Sequence, residues 1–298
     1  MTHEHRSASK TGREFARGRL ALVLPLLAAY MVAEVVGGLL TNSLALLADA
    51  GHMLSDVAAV ALTLFAMWIA RRPATAARTF GYYRAEILAA LVNGATLVAI
   101  AIYVFVEAWQ RARNPPAVLG TGMLAIAVGG LAVNVVGLWL LKDSRSESLN
   151  VRGAWLHVLG DALGSVAAIA SGALIAGFGW NWADPVASVA IAVLILYSAW
   201  ALVREATAVL MEGAPGNIDV DAVRGALRAI DGVEEVHELH VWSISSGLAS
   251  LSCHLVRSNN ARVDALLHAA RERLARDFGI QHVTIQVESE RCSTEAHE

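Results

Sequence analysis

The chain contains 298 residues, of which 56% are hydrophobic and only 16% are charged, and its mean hydropathy is +0.52. An ordinary soluble domain carries about 25% charged residues, so most of this chain is not an ordinary soluble domain. Abundant apolar residues and a net charge of only −3 exclude extensive disorder, and two cysteines are too few for a disulfide scaffold. The slightly acidic balance argues against a nucleic-acid partner.

Charge is distributed unevenly along the chain. Residues 1–211 carry 15 basic and 12 acidic side chains, whereas residues 212–298 carry 8 basic and 14 acidic side chains. Six of the ten histidines also lie in the second segment. We therefore predict an apolar N-terminal body followed by a polar, acidic and histidine-bearing C-terminal domain.

The N-terminal body contains six apolar stretches that are separated by turn-prone or charged segments. About 20 apolar residues suffice for a helix to cross the hydrocarbon core of a bilayer. Buried core helices of a soluble protein explain six such stretches in series poorly, so we predict six transmembrane helices. They lie near residues 20–40, 44–70, 85–108, 117–141, 153–179 and 183–210.

Tryptophan and arginine residues lie where the ends of these helices are expected. Six tryptophans form the pattern of an aromatic belt: Trp68, Trp109, Trp139, Trp155, Trp180 and Trp182. Basic residues concentrate in the N-terminal segment and in the second and fourth loops, while the other face has only Arg111 and Arg113. The positive-inside rule then predicts that both termini are cytoplasmic. No small-residue cleavage site follows residues 1–19, so we predict a cytoplasmic tail and no signal peptide.

Two of the apolar stretches contain the pattern His-x-Leu-small-Asp. The second contains His52 and Asp56, and the fifth contains His157 and Asp161. Ionisable side chains inside a membrane are costly and mark functional sites. Because residues at positions i and i+4 share a helix face, each helix presents one imidazole and one carboxylate to the same neighbour.

The predicted topology makes the second and fifth helices antiparallel. If they pack side by side, two histidine nitrogens and two aspartate oxygens converge, and four such ligands suit tetrahedral Zn²⁺. Two related three-helix halves also indicate an inverted repeat with an ion site at its interface. A buried hydrogen bond between helices explains one such pair equally well, but it explains two matched pairs less well.

Other polar residues occur within the apolar stretches. Asp49 lies three residues before His52, on a similar helix face. Its position is equally consistent with three roles: receiving the ion, passing protons, or hydrogen bonding to Ser or Asn on another helix. Helix–helix hydrogen bonds explain four more residues at least as well as a role in transport does: Glu34, Glu86, Asn93 and Asn134.

The C-terminal segment has the patterns of a small α+β domain. A Gly- and Pro-containing linker is predicted at residues 211–218, then the domain at 219–290 and a tail at 291–298. Apolar spacing predicts helices at 219–230 and 261–278 and strands at 233–244, 248–256 and 282–287. The predicted order is therefore αββαβ.

Distinctive motifs occur in five segments: Asn42–Asp56, Arg78–Glu86, Asn150–Asp161, Val236–Trp242 and His282–Glu288. These segments resemble the cation diffusion facilitator family, and specifically its zinc-transporting branch. The resemblance covers nearly the whole chain between residues 20 and 290, and the combination of motifs is highly specific.

The resemblance implies a homodimeric antiporter that exchanges divalent metal ions for protons. It implies six transmembrane helices and a cytoplasmic ferredoxin-like domain, and the compact chain favours the plasma membrane of a bacterium. By the match of motifs, the ligands of transported Zn²⁺ are His52, Asp56, His157 and Asp161.

The resemblance also implies metal sites in the cytoplasmic domain, where Zn²⁺ is the expected ligand. The residues on or beside the family's ligand positions are His237, His254, His282 and Glu288. Gln281 and Gln286 fall on positions that are His in some relatives, so the register around His282 is open by one residue. Residues 71–84 contain no His, Asp, Glu or Cys, and we predict that a further site found there in some members is absent.

Three other classes of protein fit the sequence less well. An intramembrane metallohydrolase would need an open coordination position and a general base, and the sequence contains no H-E-x-x-H motif. A metal-sensing receptor would need a signalling domain, and a channel would show no proton dependence of flux. We therefore predict a transporter rather than an enzyme.

Overall fold

The computed structural model describes residues 28–69, 72–73, 75–141, 149–245 and 247–291, apart from the side chains at 149–157 and a few other helical positions. These residues divide into two compact units. The first contains the described residues up to Phe65 together with Val92–Val203. The second contains the described residues of Ala66–Leu91 and those from Arg204 onward.

Helices dominate the chain up to residue 210. The described part of the first helix, α1, covers Ala28–Thr41. It is followed by α2 (Leu44–Ile69), α3 (Arg84–Arg113), α4 (Gly120–Leu141), α5 (Leu149–Phe178) and α6 (Ala183–Leu210). In the part of the chain that the structure describes, three helices are long and apolar enough to cross a membrane: Arg84–Arg113, Val158–Phe178 and Ala183–Leu210.

The first unit exposes large apolar side chains and buries polar ones. Leu40, Phe178 and Tyr197 are exposed by 70% or more, whereas Asp184 and Ser188 are fully buried. Extended apolar exposure of this kind is unusual for a soluble protein. It is the distribution expected of helices whose outer faces contact lipid.

Tryptophans lie exposed near helix ends, as the sequence predicts. Trp68 and Trp109 are 53% and 62% exposed, and the guanidinium groups of Arg72 and Arg113 lie over their rings at 4.8 and 4.7 Å. The side chain of Trp155 lies outside the described residues. Stacked aromatic and cationic groups of this kind suit the boundary between hydrocarbon and water.

The turn between α1 and α2 is closed by a carboxylate from α6. Asn42 adopts a left-handed conformation (φ 56°), which ends α1. The Oδ2 of Asp184 then accepts a hydrogen bond from Leu44 N (2.8 Å), and its Oδ1 accepts one from Ser43 Oγ (2.7 Å). Because the first N–H groups of a helix have no intrahelical partner, this carboxylate satisfies donors that would otherwise be buried unpaired.

The second unit contains the α+β domain. After α7 (Val220–Arg228), the chain forms β1 (Val233–Ser245), β2 (Leu248–Arg257), α8 (Val263–Phe278) and β3 (His282–Glu288). Strand β2 is central, antiparallel to β1 and parallel to β3. The order αββαβ agrees with the prediction, and the bounds differ from it by at most two residues.

Both helices of this domain are amphipathic and contribute to one core with the sheet. Asp219 caps α7 by accepting hydrogen bonds from Asp221 N (2.9 Å) and Ala222 N (3.2 Å). Leu227 and Leu274 are fully buried in the core with Cys253. Burial raises the pKa of the Cys253 thiol to about 11, so this cysteine is a neutral core residue.

Candidate metal-binding sites

The first candidate site joins α2 and α5. His52 and Asp56 lie one turn apart on α2, and Asp161 lies on α5. One potential ligand atom from each of the three lies within 4.8 Å of the other two. His52 Nε2 is 3.0 Å from Asp161 Oδ1, and both side chains are less than one-fifth exposed. The structure thus brings together three of the four residues that the sequence predicts.

The fourth predicted ligand, His157, lies on α5 one turn before Asp161. Its side chain lies outside the described residues. Its backbone position keeps the i, i+4 relation that places both side chains on one helix face.

Hydrogen bonds fix the neighbouring parts of these helices. Asn93 on α3 donates to Ser55 Oγ on α2 at 2.8 Å, directly beside Asp56. Asn134 on α4 donates to Ser165 Oγ on α5 at 3.2 Å, one turn beyond Asp161. Both asparagines thus make helix–helix hydrogen bonds, one of the two interpretations that the sequence leaves open for them.

Asp49 is buried near this site without belonging to the three-residue group. It is 6% exposed, and its Oδ1 lies 3.5 Å from the position that a Cβ on Gly164 would occupy. Its carboxyl is within hydrogen-bonding reach of Glu34 on α1. Glu34 is 1% exposed. The structure therefore pairs two acidic residues that the sequence treats separately.

Asp184, a functional residue that the sequence pattern does not indicate, is 0% exposed. Arg111 donates to the carbonyl of Asn42 at 2.8 Å and to Glu107 at 2.9 Å, and its Nη1 lies 3.9 Å from Asp184. An aspartate at the start of an apolar stretch was the available signal. Its helix-capping role could not be predicted, because Asp184 lies 140 positions from Leu44 in the sequence.

The second candidate site lies on the sheet of the α+β domain. His237 Nε2 is 3.1 Å from Glu288 Oε2, and His254 Nδ1 is 2.9 Å from Glu288 Oε1. His237 pairs with His254 across the antiparallel strands, which brings the two rings to 5.0 Å. Potential ligand atoms of the three residues lie within 4.8 Å of one another, and Glu288 is 6% exposed.

His282 lies at the opposite end of β3, across from Ser250, and is exposed. It is not one of the three grouped residues. Gln286, which pairs with His254, donates instead to Glu288 Oε1 at 2.7 Å and orients that carboxylate.

A bulge separates His237 from the exposed His240. Glu238 adopts a left-handed φ of 49°, and the strand register shifts between the two histidines. A hydrogen bond from His240 lowers the pKa of Glu238. These two residues form a separate surface pair, so of the two histidines on β1 it is His237 that faces Glu288.

Both groups combine imidazole nitrogen with carboxylate oxygen. These are ligands of Zn²⁺ and other first-row divalent ions. At the first site, the short contact between His52 and Asp161 requires a proton, and a bound ion would displace it. Metal binding and proton binding therefore compete for the same atoms.

Two family models together match nearly the whole chain. Residues 20–211 match the family model described as the cation efflux transmembrane domain, and residues 215–290 match the cytoplasmic domain of cation efflux proteins. The chain belongs to the cation efflux family.

Relatives of this cation efflux protein are similar over most of their length. The zinc transporter ZitB of Escherichia coli is 43% identical, with 98% of this chain and 93% of the relative covered. An antiporter of Bacillus subtilis, named for cadmium, cobalt and zinc/H⁺-K⁺, is 46% identical over 88% of this chain and 85% of the relative.

Among solved structures, the metal-bound C-terminal domain of the CzcD transporter from Cuprividus metallidurans is 38% identical. The match covers 24% of this chain and 99% of that structure, with a TM-score of 0.23. Membership of the family makes the chain a membrane-embedded cation transporter with a cytoplasmic domain, and not an enzyme.

Proposed function

We propose that this protein exports Zn²⁺ from the cytoplasm in exchange for protons. The names of the relatives in Escherichia coli and Bacillus subtilis support zinc as the substrate and the proton as the counter-ion. The single observation that carries the proposal is the convergence of His52, Asp56 and Asp161 between two helices. Protons and a metal ion compete there for the same imidazole and carboxylate groups.

The proposed transport site contains His52, Asp56, His157 and Asp161. Two imidazoles and two carboxylates would give Zn²⁺ four ligands, and the carboxylates balance its two charges. This balance lowers the cost of holding the ion in a low dielectric. Cd²⁺, Co²⁺ and Ni²⁺ accept the same donors, so ligand type leaves the choice among these ions open.

The proposed exchange follows from the protonation of the ligands. On the cytoplasmic side the imidazoles are neutral and the carboxylates are ionised, so the site binds Zn²⁺. When the site opens to the other side, protons occupy the ligands and the ion leaves. Histidine suits this exchange because it titrates near neutral pH.

The proposed arrangement in the membrane has six helices with both termini in the cytoplasm. The basic residues of the N-terminal segment and of the second and fourth loops support this orientation. Bacterial relatives support location in a bacterial plasma membrane.

We assign the cytoplasmic domain a ferredoxin-like fold, a dimeric state and a second metal site. His237, His254 and Glu288 supply three ligands, whereas His282, at the opposite end of β3, lies apart from them. Filling this site joins all three strands of the sheet, because each strand supplies one ligand. This connection offers a means by which cytoplasmic metal affects the dimer.

The test of the transport site is Zn²⁺ uptake by proteoliposomes under an imposed pH gradient. Asp161→Ala removes one ligand and should abolish uptake, while the variant stays folded and keeps the elution volume of the wild type. Glu205→Ala, an exposed carboxyl on α6, is the matched control and should transport normally. Normal uptake by Asp161→Ala would sink the assignment.

A further inference from the structure

Two buried carboxyl groups lie outside the candidate transport site. Glu34 on α1 is 1% exposed and Asp49 on α2 is 6% exposed. Their carboxyl groups lie within hydrogen-bonding reach of each other. Glu34 Oε2 is buried and has no hydrogen-bond partner, so the pair has one oxygen whose bonding is incomplete.

His52 is the basic side chain that acts most strongly on this pair. Tyr30 lies one turn before Glu34, and its hydroxyl donates to the carbonyl of Ile126 on α4 at 2.8 Å. Helix α4 contains no ionisable residue, and α3 and α6 carry their acidic and basic side chains near their ends. The groups that act most strongly on the pair are Tyr30, His52, Asp56 and Asp161.

Two carboxylates in contact inside a low-dielectric bundle repel each other, so the favoured state holds one proton between them while no cation is bound nearby. One proton shared between them removes the repulsion and completes the bonding of the orphaned oxygen. A metal ion is a poorer occupant. The pair is not part of any group of three or more potential ligands among the described residues.

We propose that Glu34 and Asp49 form a proton site that is separate from the metal ligands and releases its proton when a divalent ion binds at His52, Asp56 and Asp161. The proposal rests on the proposed transport function and assigns one of the exchanged protons to Glu34 and Asp49. Asp49 is three residues before His52 on α2, so the two sites are close enough for charge to act between them.

The charges balance in the proposed step. The protonated pair carries one negative charge, and the ionised ligands Asp56 and Asp161 disfavour a second one. A divalent ion bound by those ligands cancels their repulsion, so the pair loses its proton to the aqueous phase then in contact with the site. Both carboxylates are then ionised. Coupling between sites is reciprocal, so protonation of the pair weakens metal binding by the same factor.

The test compares the pH dependence of Zn²⁺ affinity for the purified full-length protein, with His254→Ala added to remove the cytoplasmic site. Each proton released on binding changes Kd about tenfold per pH unit. Glu34→Gln should lower that slope by about one and reduce the protons counted with a pH indicator by about one. Glu34→Asp, which keeps a carboxyl, should retain the slope.

Two variants keep the test decisive. Asp49→Asn should lower the slope by as much as Glu34→Gln does, because the remaining carboxyl then has no second carboxyl with which to share the proton. Glu107→Gln is the matched control, since Glu107 is paired with Arg111 at 2.9 Å and has no shared proton to release. Its slope should equal that of the parent.

If folded Glu34→Gln and Asp49→Asn keep the parent's slope of Zn²⁺ affinity against pH, the proton site is overturned. If those variants lose Zn²⁺ binding, the pair is part of the metal site and the proposal is also overturned. A slope that changes only when K⁺ is replaced by choline would show a cation site instead. Failure of the transport site itself is distinguishable, because Asp161→Ala would then still bind Zn²⁺.

Discussion

At the scale of single residues, Asp184 connects α6 to the start of α2. Its carboxylate accepts hydrogen bonds from Ser43 Oγ, Leu44 N and Ala45 N at 2.7 to 3.2 Å. A carboxylate at a helix N-terminus is favoured both by hydrogen bonding and by the helix dipole. One side chain thus fixes where a ligand-bearing helix begins.

Replacing Asp184 with alanine should destabilise the protein. The change leaves buried donors unpaired, and the loss of hydrogen bonds to a charged group costs about 2–3 kcal/mol. The measurement is thermal unfolding in detergent, where the midpoint should fall by several degrees. Glu205→Gln, at an exposed position of α6 away from its N-terminus, should leave the midpoint unchanged, and an equal midpoint for both variants would contradict the capping role.

At the scale of helices, α4 and α5 pack closely because glycines face each other. An ideal Cβ on Gly120 would lie 2.7 Å from Ala176 N and 2.9 Å from the carbonyl of Gly172. Both contacts are with backbone, which cannot rotate away. Small residues at helix contacts are the usual means of close approach in membranes.

Gly120→Ala should therefore lower both stability and transport, since it pushes α4 away from the helix that bears Asp161. Alanine is normally the better helix former by about 1 kcal/mol, so the expected loss opposes the intrinsic preference. Gly129→Ala is the matched control on α4, where the added Cβ meets only Tyr30 at 3.8 Å. A midpoint for Gly120→Ala at or above that of the control would refute the close packing.

The sequence predicts the elements well, for physical reasons. Apolar length predicts the long helices of the N-terminal part, and alternation and 3.6-residue spacing predict the order and bounds of the α+β domain. The i, i+4 pattern also locates His52 and Asp56. These signals are local, so they can be read without knowing which helix packs against which.

Pairings between distant residues could not be predicted in this way. The contact of Glu34 with Asp49 and the capping by Asp184 depend on helix packing. The grouping of Glu288 with His237 depends on the register of three strands, which a shift of one residue would reverse. The resemblance to a family supplied these residues, together with His282, which lies outside the group.

At the scale of the whole molecule, metal ligands occur in two separate groups, each within one compact unit. The groups share no residue, so each should lose its ion independently.

His254→Ala should reduce the Zn²⁺ bound per full-length chain by one while leaving the ion bound at His52 in place. Equilibrium dialysis followed by metal analysis measures this count. His240→Ala, an exposed histidine outside both groups, should bind as much as the wild type. If His254→Ala and Asp161→Ala each abolish all binding, the two groups do not bind independently.

The anchored start of α2 sets how far its ligands travel. At 1.5 Å per residue, His52 lies about 12 Å along the helix from Leu44 and Phe65 about 32 Å. If α2 rotates about the end held by Asp184, a tilt of about 5° displaces His52 by about 1 Å. Metal–ligand distances tolerate only about 0.2 Å. A tilt of about 1° already moves His52 by about 0.2 Å and Phe65 by only about 0.6 Å, so a tilt that hardly changes the packing of the bundle is enough to turn a binding geometry into a releasing one.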